Sequence, residues 1–283
     1  MCVGFSAIAQ DDEMGGGVDP AYVNKRGINL LPERGDFALG IEANPFLNYL
    51  GGFFNLRGVA PTPSFNGFSG KIYGKYFLED DRAIRAKLYI STGSTAKKGV
   101  VTNDEETINN PLNALATVID VMKTNHTKVD LNVGYEFRRG HGRVQGFYGG
   151  EVGVGFESKN EKFDYANPMT AANQSPSTWD FEDLDMKKMA VRPTEQKYGK
   201  SVYAGLGGFV GVEYFFTPQI SIGGELNLGL YYSLQMQNET TSEFWNGSTD
   251  KLDTRSQRSG GWDANDTGLY TNVGGSIFLM FHF

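Results

Sequence analysis

The chain has 283 residues, with 37 glycines and 13% aromatic residues against ten prolines, a composition suited to a β protein with many turns rather than a disordered one. Its formal net charge of −7 argues against nucleic acid, which needs a basic face. No stretch approaches the roughly 20 apolar residues of a membrane helix, which excludes a helical membrane protein but leaves open a β-barrel, whose strands are only half apolar.

The first residues, MCVGFSAIAQ, read as the end of a secretory signal. A short apolar run leads to Ala7-Ile8-Ala9, an A-x-A cleavage pattern, with Gln10 as the first mature residue. Cys2 would leave with this remnant, and the mature chain would then have neither a disulfide framework nor thiol chemistry.

From residue 36 onward, alternating segments recur at about 36–43, 67–77, 83–95, 128–138, 143–157, 201–216, 219–232 and 267–283. Most reach the roughly 9–11 residues that a tilted strand needs to cross a bilayer. In 128–138, Val129, Leu131, Val133, Tyr135 and Phe137 share one face, while Lys128, Asp130, Asn132, Glu136 and Arg138 share the other. The final segment sets Ile277, Leu279, Phe281 and Phe283 opposite Ser276, Phe278, Met280 and His282.

The connections alternate as well. Residues 78–82, 139–142 and 217–218 carry the acidic, Gly and Pro signals of tight turns, whereas 44–66, 96–127, 158–200 and 233–266 are long. This layout predicts an all-β fold, an eight-stranded antiparallel transmembrane β-barrel with short periplasmic turns and four long extracellular loops. Alternation alone does not say which face points inwards, because a soluble lipocalin-like barrel would bury the apolar one. Three features favour the membrane: girdle candidates at strand ends (Phe77, Phe137, Tyr214 and Phe216), glycines on the polar face, and the aromatic C-terminus.

With its aromatic terminal strand and its short–long connections, the chain after Asp36 resembles the small outer-membrane β-barrel family that includes the OmpA and OmpX transmembrane domains. The resemblance implies a Gram-negative outer membrane, periplasmic termini and extracellular loops. It carries over no catalytic motif. The expected organisation is a signal remnant at 1–9, an N-terminal periplasmic segment at 10–35 and the barrel at 36–283.

Turning the polar face inwards gathers Lys71, Lys75, Arg85 and Lys87 with Glu42, Asp130, Glu136, Arg138, Glu151, Glu213 and Glu225. Opposite charges in a narrow, poorly hydrated lumen should pair, because unpaired buried charges are costly. Tyr73, Tyr89, Phe147, Phe209 and Tyr231 would fill the remaining volume. Eight strands leave no continuous aqueous channel, and the expectation is a salt-bridged plug rather than a proton path or pore.

Catalytic signals are sparse. His141 sits in a tight turn, His282 beside the C-terminus, and His126 at the mouth of the fourth segment, next to Thr127 on the opposite face of the strand. No nucleophile–base pair can be drawn from these positions, and the expectation is a protein that is not an enzyme. No cofactor or metal-ligand set is implied either, since the acidic run Asp180, Glu182, Asp183 and Asp185 lacks the spacing of a calcium loop.

The loops hold the better binding candidates. Trp179, Trp245 and Trp262 fall in the third and fourth, and Phe46, Tyr49, Phe53 and Phe54 lie in a first loop too apolar to stay free. Leu112, Leu115, Val118, Ile119 and Met122 at helical spacing predict an amphipathic helix over 111–123. Beyond outer-membrane lipid, the candidate partners are a surface lipoprotein, a membrane complex or a glycan. A lipid-modifying enzyme and a small-solute pore are the alternatives to such a binding role.

Overall fold

The structure, a computed structural model, describes residues 29–43, 68–110, 115–259 and 269–283. The signal remnant, most of the 10–35 segment, the apolar run of the first loop (Phe46, Tyr49, Phe53 and Phe54) and Trp262 lie outside the described residues. The elements in chain order are β1 (Phe37–Glu42), β2 (Phe68–Glu79), β3 (Arg82–Thr102), α1 (Asp104–Asn109), β4 (Thr117–His141) and β5 (Val144–Asp164). There follow β6 (Ser177–Asp180), β7 (Asp185–Lys188), β8 (Val191–Lys197), β9 (Ser201–Thr217), β10 (Ile220–Gln235), β11 (Asn238–Asn246), β12 (Lys251–Ser259) and β13 (Leu269–His282).

Eight of these strands close a ring in the order β1-β2-β3-β4-β5-β9-β10-β13, every pair antiparallel. The seam is β1 against β13, from Ala38↔His282 to Glu42↔Phe278. Phe37 and Phe283 exchange backbone hydrogen bonds there, and their rings stack at 5.0 Å. Closure gives every ring strand two neighbours, which removes the sheet edge that an aromatic terminal strand would otherwise expose. Two-residue turns, Asp80-Asp81, Gly142-Arg143 and Pro218-Gln219, join the strands at one end. Gly142 takes a φ of +67°, the left-handed geometry that a side chain disfavours.

Alternation sorts the residues as a membrane barrel requires. Leu206, Val210, Leu226 and Leu228 point outward and are exposed, whereas Lys75, Arg85, Glu136, Glu213, Phe278 and His282 point inward and are buried. Near the turn end, Tyr135, Phe137 and Tyr148 pack ring to ring outside the wall, as do Tyr214 and Phe216. Phe77 is a correction to the predicted girdle. It shares the parity of Tyr73 and Lys75, points into the lumen and is fully buried.

At the other end the wall does not stop with the ring. β2 leaves β3 at Phe68↔Thr92, and residues 93–102 continue against 117–126 of β4. β5 follows β4 outward, β8 joins β5 at Asn160–Lys162, and β11 and β12 add to β8. The result is a sheet in the order β3-β4-β5-β8-β11-β12 that projects beyond the barrel.

This projection overturns the helix expected over 111–123. Residues 111–114 lie outside the described residues, and from Thr117 the chain is strand, with Val118 opposite Val101 and Ile119 opposite Val100. Thr117, Val118, Ile119 and Val121 are β-branched, and cross-strand packing on Val100 and Val101 outweighs their helical spacing. The short helix α1 lies earlier, where the Asn103 side chain caps it by accepting from the Glu106 N–H at 3.1 Å.

Candidate functional site

Four cations and four carboxylates from six neighbouring ring strands meet in the lumen: Lys75, Arg85, Lys87 and Arg138 with Glu136, Glu151, Glu213 and Glu225. Lys75 Nζ lies 3.0 Å from Glu136 Oε1 and 3.1 Å from Glu213 Oε2. Arg138 spans the same two carboxylates, each at 2.9 Å. Arg85 links Glu136 at 3.4 Å to Glu225 at 2.5 Å, and Lys87 links Glu225 at 3.4 Å to Glu151 at 2.7 Å. The chain of contacts is continuous, and its formal charges cancel. Cancellation matters because desolvating an unmatched ion costs several kcal/mol even after relaxation, by an order-of-magnitude estimate.

Aromatic rings pack around this network. The Arg85 guanidinium sits 3.8 Å from the centre of Phe209, and Lys75 Nζ sits 4.7 Å from that of Phe147. Tyr73, Phe77, Phe147, Phe209, Phe278 and Met280 form one buried cluster with Ala38 and Ala83. The other residues expected in the lumen lie apart from the network. Lys71 pairs with Glu42 at 3.4 Å in a half-exposed position, and Asp130 accepts from the Tyr203 hydroxyl. Above Lys87 and Glu151, at the loop end, a cavity of about 620 Å³ is lined by polar residues and by Tyr89, Tyr203 and Tyr231.

The ring also creates a contact that the sequence did not show. Ser221 and His282, 61 positions apart, meet with 2.8 Å between Oγ and Nε2, and both are buried. The Ser221 hydroxyl donates to Glu213 Oε1 at 2.5 Å, and the same carboxylate oxygen lies 3.4 Å from His282 Nε2. In a nucleophile–base–carboxylate relay the serine proton faces the imidazole, and the carboxylate holds the far ring nitrogen. Here the serine proton faces the carboxylate, and Nδ1 has no partner among the described residues. The three groups are in contact, but not in the order of that relay. His126 is exposed on β4 beside Gly93, where the ring end of the imidazole covers the glycine.

The projecting sheet has a polar core of its own, and none of its members was picked out from sequence. Buried Asn167 donates to the carbonyls of Thr102 and Ser177, each at 2.8 Å, and accepts from the Asp104 N–H at 3.0 Å. Arg192 donates to the Asn167 carbonyl at 2.8 Å and to Glu243 at 2.6 Å. Fully buried Asp120 accepts the backbone N–H groups of Ala166 and Trp179, both at 2.9 Å. Burial alone would raise the Asp104 carboxyl, but hydrogen bonds from Ser177 at 2.6 Å and Asn173 at 2.8 Å outweigh it and hold the group below its ordinary value. Together these contacts hold the 166–179 segment against α1, β3, β4 and β8, which is how such long connections become ordered.

The predicted binding residues in the loops fall differently. The Trp179 ring lies flat over Gly99 on β3, where no Cβ would fit, and so packs β6 onto the projecting sheet. Trp245 stands on β11 opposite Leu252 of β12. In the acidic run, the carboxylates of Asp180, Asp183 and Asp185 converge, and the Lys187 ammonium sits among them, 2.8 Å from Asp180 and 3.4 Å from Asp185. These contacts, from Asp180 first, raise the Lys187 ammonium above its ordinary range.

No protein-family model matches the chain, and no curated protein sequence matches it significantly. Solved structures with a similar course are outer-membrane proteins. They include a major outer membrane protein from Thermus thermophilus, 13% identical over 88% of this chain and 98% of that one, with a TM-score of 0.36. Ail, the attachment invasion locus protein of Yersinia pestis, is 11% identical over 88% and 99%, with a TM-score of 0.32. OprG of Pseudomonas aeruginosa is 9% identical over 90% and 98%, with a TM-score of 0.29. The decisive features are in the chain itself: a closed antiparallel ring, an apolar belt facing outward and a charged interior. A soluble barrel would carry its polarity the other way round, and the chain is therefore a transmembrane β-barrel of the small outer-membrane type.

Proposed function

We propose that this protein is a non-enzymatic barrel with a plugged lumen that presents its loop-end sheet at the surface of a Gram-negative cell, with both termini in the periplasm. Its role is structural, or it binds a partner or ligand there. The observation that carries this reading is the sheet beyond the ring, locked by the Asp104, Asp120, Asn167 and Arg192 contacts. A surface held in place before a partner arrives avoids much of the ordering cost of binding. The balanced ion-pair network supports a closed lumen, and the wiring of Ser221 and His282 supports packing rather than nucleophilic chemistry. A surface lipoprotein, a membrane complex and a glycan are the candidate partners.

The test is a gentle-detergent pull-down from native outer membrane, with mass spectrometry and planar-bilayer recording on the same sample. The expected result is silent bilayers, together with a stoichiometric partner that Trp245→Ala or Phe53→Asp releases. Single-channel steps that disappear when Lys75 or Glu136 is neutralised would replace this reading with a pore. A change in lipid A mass on incubation with the protein would replace it with a lipid-modifying enzyme.

A further inference from the structure

The lumen is filled unevenly. Toward the turn end it is packed with ion pairs and rings, whereas at the loop end the network stops at Lys87 and Glu151 and leaves the cavity of about 620 Å³. That size lies within the roughly 300–1,000 Å³ of small-ligand pockets. We propose that this vestibule binds a neutral saccharide unit of one or two rings. The proposal rests on the plugged-lumen reading, which makes the vestibule blind at its lower end.

Two independent features select that ligand class. The first is an aromatic pair. Tyr203 and Tyr231 stand edge to face, with centres 6.3 Å apart and planes at 81°. A Cβ on Gly155 would run into the Tyr203 ring, and one on Gly205 or Gly229 would run into the Tyr231 ring. The glycines therefore let both rings lie against the barrel wall, and both rings line the cavity. Lys128 Nζ lies over the Tyr203 ring, 5.4 Å from its centre, so Tyr231 offers the aromatic face, and such a face in a polar pocket suits the C–H face of a sugar ring.

The second feature is that the charges around the cavity already have partners. Lys71 has Glu42 at 3.4 Å, Lys87 has Glu151 at 2.7 Å, Lys128 has Glu157 at 3.6 Å, and Asp130 has the Tyr203 hydroxyl. An anionic or cationic ligand would bring a further charge into a half-buried site where each lysine already has a carboxylate and Asp130 already has a hydroxyl donor. A neutral ligand brings none. Between the charges stand Asn132, Asn227, Ser201 and Ser233, whose amides and hydroxyls both donate and accept hydrogen bonds. Sugar hydroxyls also do both.

The experiment uses the full chain folded in a detergent without a sugar headgroup, because a glycoside detergent would compete. Glucose, N-acetylglucosamine, cellobiose and chitobiose are titrated by calorimetry and by ligand-observed NMR, with glucuronic acid and glucosamine as charged counterparts. The expected result is millimolar or tighter binding of a neutral sugar. Tyr231→Leu should then weaken it about tenfold, as loss of one stacked aromatic face would. Asn132→Ala is the second variant, and heat-modifiable gel mobility confirms that each variant is folded. The proposal is overturned if no neutral sugar binds at tens of millimolar, if a charged counterpart binds more tightly, or if folded Tyr231→Leu and Asn132→Ala both bind like wild type. Channel steps from the same preparation would overturn the plugged lumen on which the proposal rests. Silent bilayers with no sugar binding would overturn the vestibule alone.

Discussion

Glu136 is fully buried and holds three cations at once, Lys75 at 3.0 Å, Arg85 at 3.4 Å and Arg138 at 2.9 Å. Removing one member of such a set leaves its partners charged and desolvated, a penalty of about 3–5 kcal/mol for a broken buried pair. Glu136→Gln should lower the unfolding free energy of the detergent-folded barrel by about that amount. Lys71, half exposed and 3.4 Å from Glu42, is the contrast, and Lys71→Met should cost less than about 1 kcal/mol. Urea or guanidinium titrations followed by far-ultraviolet circular dichroism and heat-modifiable gel mobility would measure both. Equal effects would mean that the network holds the barrel together no more than a surface pair does. The parity of each strand made these residues legible, because one face of 128–138 already collects Asp130, Glu136 and Arg138. The Ser221–His282 contact was not legible, because only the register of β10 on β13, which sets Ser221 opposite Met280, brings residues 61 positions apart together.

At the scale of elements, the projecting sheet behaves as a unit with its own polar core, and one carboxylate gives it a pH dependence. The Asp104 carboxyl is held below its ordinary value by Ser177 and Asn173. A depressed carboxyl contributes stability above the unfolded-state value of about 3.9, and that contribution is lost as pH falls through the folded value. Amide protection factors in residues 165–188, corrected for the intrinsic rate at each pH, should therefore fall below about pH 4, while the ring strands stay protected. Asp180 is depressed as well, chiefly by its hydrogen bond from Lys187, so wild-type data alone cannot assign the transition. Asp104→Asn isolates the contribution and should flatten the acid dependence, and an unchanged midpoint in this variant would sink the assignment. Sequence periodicity missed most of this sheet for a physical reason. β12 reads KLDTRSQRS and is exposed along nearly its whole length, so it carries no alternation of apolar and polar residues. Where 117–123 did carry apolar residues, their spacing fitted a helix as well as a strand, and only the pairing with β3 separates the two. The ring strands were legible because lipid and lumen impose opposite demands on alternate residues.

For the whole molecule, the deciding property is the polarity of the wall. The outward face of β9 runs through Val202, Leu206, Val210 and Tyr214, with Tyr214 and Phe216 toward the turn end and Tyr232, opposite Ala204, toward the loop end. Val210 lies about midway between these aromatic residues, beside Tyr148 and Leu226 on the neighbouring strands. If that face meets hydrocarbon, Val210→Arg should cost about 2–4 kcal/mol when the protein unfolds from lipid vesicles. Val144→Arg, outward but one residue from the Gly142-Arg143 turn, should cost only about 0–1 kcal/mol, because a charge near the interface reaches water. A barrel whose outer wall met water would show neither cost nor gradient, since arginine is at home on a solvated strand face. The depth dependence is the discriminating quantity: a uniform penalty at both positions would indicate a local packing fault, whereas a midplane penalty that fades toward the turns is specific to a wall immersed in lipid.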